Sequence, residues 1–121
     1  MADMTELIDR YIAVWNEPDA TKRDAVVAEI WREDAFAASV ASGYAGREAI
    51  AGRVTRTYED FVAKQGFVFR AVGDPDGHHE GMRIRWEMAP AGGGPAVSGG
   101  VQFLILDAGG RVRYDYQFID F

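Results

Sequence analysis

The chain contains no cysteine. Disulfide staples, thiolate metal ligands and cysteine nucleophiles are therefore excluded. Histidine is almost as scarce, with two residues, His78 and His79, side by side. No apolar run approaches the ~18 residues that a bilayer-crossing helix needs. Positive charge is in deficit, with 13 Lys and Arg against 19 Asp and Glu and a formal net charge of −6. A general nucleic-acid binder needs a basic stripe, and adhesion to an anionic membrane surface needs a basic cluster. Neither partner suits this chain. The opening segment MADMTELIDR is acidic and has no apolar signal core. The expectation from these absences is a soluble, cytoplasmic protein.

What is present is apolar. Hydrophobic residues make up 48% of 121 residues, enough for a packed core around a small internal cavity. One domain over residues 1–121 is expected, since no repeat or linker divides the chain.

Periodicity supplies the elements. Leu7, Ile8, Tyr11, Ile12 and Trp15 recur at helical spacing, predicting a helix from about Met4 to Asn16. Pro18 ends it. Val26, Val27, Ile30 and Trp31 mark a second helix, about Thr21 to Trp31, with Asp19 and Thr21 as cap candidates. A short strand over Asp34–Val40 and a loop over Ser42–Gly46 follow. Ile50, Val54, Tyr58 and Phe61 then define a third helix that stops near Gly66. Beyond it the period becomes two. Strands are expected over Phe67–Gly73, His79–Met88, Val101–Leu106 and Arg111–Asp120, separated by the DPDG turn, the flexible stretch Ala89–Gly100 and the DAGG hairpin. Gly92–Gly94 is no phosphate loop, because it lacks the Lys and Ser/Thr of one and opens no helix. The short connections imply antiparallel pairing. The fold class is α+β, with three helices packed on one face of a strongly curved antiparallel sheet.

Four segments in this order, DRYIAVWNEPD, WREDAFAAS, YAGREAI and DAGGRVRYDYQFID, resemble the NTF2-like superfamily of cone-shaped α+β proteins. Within it the chain looks like the SnoaL-like proteins and the ketosteroid isomerases. The resemblance implies an apolar pocket inside the cone and a homodimer. It also implies a tyrosine on the first helix that donates to a developing enolate, which places Tyr11 in that role. The isomerases' neutral carboxylic acid falls on Gln102 and their carboxylate base on Ser39. The acid/base aspartate of the cyclase relatives falls on Gln117. Glutamine hydrogen-bonds but does not titrate, so standard isomerase or cyclase chemistry is not what these positions describe.

The residues themselves leave several readings open. Tyr11 is either a core tyrosine or a donor facing a ligand. Asp115 and Gln117 share strand parity, with Tyr114, Tyr116 and Phe118 on the opposite face. If the first set faces inward, Asp115 is the remaining acid or base. The general tendency of aromatic faces to be buried favours the reverse, with Asp115 solvated. Alternation also sends His78 and His79 to opposite faces of an extended strand. That disfavours a shared metal and leaves one histidine as a candidate for the cavity. Trp15, Trp31, Tyr58, Phe61 and Trp86 are candidate walls. Ser39, Gln102, Gln117 and a histidine are candidate polar contacts. No cofactor or metal is implied. A face carrying Val101, Phe103 and Ile105 is the expected dimer contact.

Two functions fit this reading. One is a module that binds a small, flat or cyclic organic ligand without turnover. The other is an isomerase, polyketide cyclase or dehydratase that uses Tyr11 with Asp115 or a histidine. A dimerisation scaffold with a filled cone is a third.

Overall fold

The structure is a computed structural model that describes residues 4–121. Helix α1 (Met4–Asn16) buries Leu7, Ile8, Tyr11, Val14 and Trp15 along one stripe. Helix α2 (Ala20–Ile30) starts at Asp19, whose side chain accepts from the Lys22 N–H at 3.0 Å. The next residue, Trp31, is extended (φ −98°, ψ 136°) and opens strand β1 (Trp31–Ala38). The sequence pattern carried the helix one residue further, because an aromatic on an apolar stripe reads alike in a helix and a strand.

Strand β2 (Gly43–Ala45) occupies the expected loop, and helix α3 (Arg47–Thr57) follows. The helix then widens into a π-helical turn, Tyr58–Ala63, in which Lys64 N–H bonds the Glu59 carbonyl five residues back. Strands β3 (Phe67–Ala71), β4 (Asp76–His78), β5 (Gly81–Pro90), β6 (Ser98–Leu106) and β7 (Val112–Ile119) complete the chain.

All seven strands form one sheet in the order β2-β1-β7-β6-β5-β3, with β4 also pairing β5. Most pairs are antiparallel, but β1 lies parallel to β7. Antiparallel pairing was expected for strands joined by short connections, and those strands have it. That logic does not reach β1 and β7, which are separated by most of the chain.

The three helices cover one face. Tyr11, Trp15, Val27, Ile30, Ile50 and Val54 meet Ala35, Ala37, Ile84, Leu104 and Val112 in a single core. Inward positions on β5 and β6 are Met82, Ile84, Trp86 and Met88, then Gln102 and Leu104. On β7 the register slips, because Ile105 pairs with Tyr114 but Leu106 pairs with Val112. The extra residue, Arg113, is a bulge that lets Val112 and Asp115 share the inner face. At the β3 edge, Asn16 closes α1 onto the sheet. Its amide accepts from the Phe69 N–H at 2.8 Å and donates to the Phe69 carbonyl at 2.7 Å, which blunts that strand edge.

Among the glycines, backbone approach is closest at Gly100. A Cβ on Gly100 would sit 2.0 Å from the Phe118 carbonyl oxygen, a backbone atom that cannot swing away. Gly100→Ala is expected to cost about 2–4 kcal/mol. Gly92→Ala, at a glycine with open space around it, should change stability by under ~0.5 kcal/mol. Urea melts of the two variants compare them directly; equal stabilities would show that the sheet tolerates a flatter path.

Candidate functional site: a cavity floored by a buried polar network

Tyr11 sits one helical turn before Trp15 and faces the sheet, which brings its hydroxyl onto β6 and β7. The hydroxyl donates to Asp115 Oδ2 at 2.6 Å. Gln102 Nε2 donates to Asp115 Oδ1 at 2.6 Å and to the Tyr11 oxygen at 3.0 Å. Trp86 Nε1 donates to Gln102 Oε1 at 3.1 Å, which fixes the amide's orientation. Trp31 Nε1 reaches Asp115 Oδ2 at 3.3 Å. One carboxylate thus gathers donors from α1, β1 and β6, and no side-chain polar atom among the described buried residues lacks a partner.

Asp115 is 1% exposed. The expectation of a solvated Asp115 behind a buried aromatic face is therefore reversed. Tyr116 and Phe118 lie outside, and Phe118 is 57% exposed. The bulge at Arg113 and the need to pair Tyr11 and Gln102 outweigh the general preference for burying aromatic rings. Burial pushes the Asp115 carboxyl above its usual range, opposed by the Tyr11 hydrogen bond, the Arg53 charge and the bonds from Gln102 and Trp31. Tyr11 is raised well above an ordinary phenol, first by burial and then by the negative charge of Asp115.

A cavity of about 380 Å³ opens above this floor, within the usual size range of small-molecule sites. Tyr11 and Gln102 present one side of the network to it, with Trp15, Trp86 and Phe69 as aromatic walls. Phe61, Met88 and Ile119 add apolar surface. Gln117, the cross-strand partner of Gln102, borders the same corner. Asp115 itself is not on the wall; it lies behind Tyr11 and Gln102.

Other sequence candidates lie elsewhere. Ser39 ends in a tight turn, where its hydroxyl accepts from the Ala41 and Ser42 N–H groups. The offset that placed it in the pocket counts along a strand that has already stopped at Ala38. Tyr58 turns away, and the Arg23 guanidinium lies 4.8 Å from its ring. Trp31 is fully buried below the floor rather than forming a wall. His78 and His79 stand at the β4–β5 turn, against a separate hollow bordered by Phe103 and Ile105. Alternation would split them, but His79 is left-handed (φ 53°), not extended. Their Nδ1 atoms consequently meet at 3.0 Å. No cluster of three or more metal-ligating side chains occurs among the described residues.

The sequence reading missed Arg53 and Thr57. Both line the cavity with Phe61, at i, i+4 and i+8. Arg53 follows Ile50 by three, so its place on the apolar stripe was legible; a charged residue there is easily discounted as solvated.

The position of Asp115 has a pH consequence. Between the ordinary carboxylate pKa and the raised one, the folded carboxyl binds more proton than the unfolded one. The associated stability is full below the ordinary carboxylate pKa and is lost as pH rises through the raised value. Wild type should therefore lose stability relative to Asp115→Asn across that window, with a slope of at most about 1.4 kcal/mol per pH unit. Paired urea melts at stepped pH measure the difference; one that stays constant with pH would refute the buried, proton-retaining carboxyl.

Comparison with solved structures places this geometry. A SnoaL-like family protein from Agrobacterium tumefaciens, provisionally assigned as an isomerase, matches over 97% of both chains with 27% identity and a TM-score of 0.87. An NTF2-like protein of unknown function from Exiguobacterium matches with a TM-score of 0.72 and 19% identity, covering 94% of this chain and 98% of that one. A protein from Sinorhizobium meliloti, provisionally assigned as a polyketide cyclase, matches with a TM-score of 0.71 and 13% identity over 93% and 94%. No protein-family model matches the chain, and no curated protein sequence does. No helix among the described residues is long and apolar enough to cross a membrane. With its helix-covered curved sheet and its end-to-end match to these structures, the chain has the NTF2-like α+β cone fold and is similar over its length to a SnoaL-like protein.

Proposed function

We propose that the cavity binds a small, flat or cyclic organic ligand and that the chain acts by binding rather than by acid–base turnover. The observation that carries this reading is the composition of the wall. Among the described residues lining the cavity there is no carboxylate and no imidazole. Proton abstraction from a carbon acid needs a base within reach of the ligand, and Asp115 is shielded by the two residues it holds. The Tyr11 proton is also committed inward, to Asp115.

A second reading is an enzyme of the isomerase, cyclase or dehydratase type. The raised Asp115 carboxyl favours it. A protonated Asp115 would donate to Tyr11 and free the phenol proton for a ligand carbonyl. The provisional assignments of the Agrobacterium and Sinorhizobium proteins point the same way.

The two readings separate experimentally. A neutral, environment-sensitive naphthyl ketone dye should bind saturably and raise the melting temperature, with about 2.7 kcal/mol of stabilisation at a hundredfold excess over Kd. Asp115→Asn should keep that affinity. A β,γ-unsaturated cyclic ketone such as 3-cyclohexenone should be left unconjugated, as followed by ultraviolet absorbance. Conjugation by wild type that disappears in Asp115→Asn would establish the enzyme instead.

The outer sheet face supports a homodimer. Phe103 pairs with Tyr116, and Val101 with Phe118. All three aromatic rings are substantially exposed. The ion pairs Arg83–Asp76 and Arg85–Asp120 bring both charge signs to this part of the sheet, which suits contact with a second copy. Sedimentation velocity should give a dimer for wild type and a monomer for Phe103→Glu; a wild-type monomer at micromolar concentration would end the proposal.

A further inference from the structure

Arg53 is the feature that neither the hydrogen-bonded floor nor the apolar walls explain. It is 7% exposed, yet it borders the cavity. Its guanidinium lies 5.5 Å from the centre of the Trp15 ring and 4.9 Å from that of Tyr44. These two rings orient the side chain without neutralising it. Its one hydrogen bond among the described residues runs from Nη2 to Gln117 Oε1 at 3.2 Å. No described carboxylate is in ion-pair contact with it. Asp115 feels its charge only at longer range.

A guanidinium has five N–H donors in a planar fork. Here one is used, and no fully buried nitrogen is left without a partner. The remaining donors are accordingly not sealed off, and Arg53 borders the cavity. A nearly buried cation without a contacting counter-ion is costly. In a chain with a formal net charge of −6, acidic residues are plentiful, yet none of the described ones is in ion-pair contact with this group. Resting on the reading that the cavity binds a ligand, we infer that the ligand is an organic carboxylate whose two oxygens engage Arg53, with its flat or cyclic body between Trp15, Phe69 and Trp86.

The chemistry of the corner selects a carboxylate over a phosphate. Beside Arg53 the available donors are the Gln117 amide and the Thr57 hydroxyl. The Tyr11 and Gln102 protons are already committed, and the Ser98 hydroxyl donates to the Phe121 carbonyl. That set matches two planar oxygens, which the fork meets bidentately. A phosphate would bring three oxygens and a second charge into a site with one cation. The remaining walls are apolar, which suits a hydrocarbon body carrying a single polar head.

The test uses three probes of one shape on the whole chain: 2-naphthoate, the neutral methyl 2-naphthyl ketone, and the cation 2-naphthylmethylammonium. Competition against the neutral dye is read at low ionic strength and neutral pH. Wild type should bind the carboxylate at least about tenfold more tightly than the ketone and reject the cation. Arg53→Gln should abolish that preference. Should Arg53→Gln fail to fold, wild type alone still decides. Nitrogen-15 NMR should show the Arg53 Nε–H resonance moving with naphthoate and staying in place with the ketone. Ketone binding equal to or tighter than naphthoate binding overturns the carboxylate assignment and leaves the cavity reading standing. Failure of the dye and all three probes to bind overturns both. A carboxylate preference that persists in folded Arg53→Gln overturns the role of Arg53.

Discussion

The structure turns on one buried carboxylate. Asp115 takes hydrogen bonds from the first helix, the first strand and the sixth strand at once. A carboxyl group removed from water must find such partners or stay protonated. Meeting that requirement ties α1 to the sheet, with the Tyr11 hydroxyl 2.6 Å from Asp115. It also fixes the Gln102 amide, which Trp86 holds from the other side. The network therefore joins residues that are up to 104 positions apart and works as a clasp between the helical layer and the sheet.

The same clasp limits the chemistry of the cavity. Its polar floor is satisfied from within. Tyr11 and Gln102 present lone pairs and a rigid surface to the cavity rather than free protons. The group with donors to spare is Arg53, held by aromatic rings and by a single bond to Gln117. Preorganisation of this kind lowers the ordering cost of binding. The proposal of binding through one charged contact rests on this arrangement.

Much of the architecture was legible from periodicity. The stripe Leu7–Tyr11–Trp15 and the change from a helical to an alternating period near Gly66 follow from local pattern. Local pattern was silent where one extra residue resets parity. The bulge at Arg113 and the left-handed His79 each moved side chains to a face that simple alternation denies them. Ser39 was misplaced for the same reason, since β1 ends before the count does. Arg53 escaped because a charge on an apolar stripe is read as an exception, whereas here the exception lines the cavity.

The sequence by itself determined the class of fold and the inventory of groups: no thiol, two adjacent histidines, one tyrosine on the first apolar stripe, and glutamines at 102 and 117. These depend on residue identity and short-range spacing. Tertiary structure alone decided which of those groups meet. Asp115 became buried, the histidines came together away from the cavity, and Arg53 became its nearly enclosed cation. The physical reason is that desolvation and hydrogen-bond pairing act between elements far apart in the chain, and neither is encoded in the spacing of neighbours.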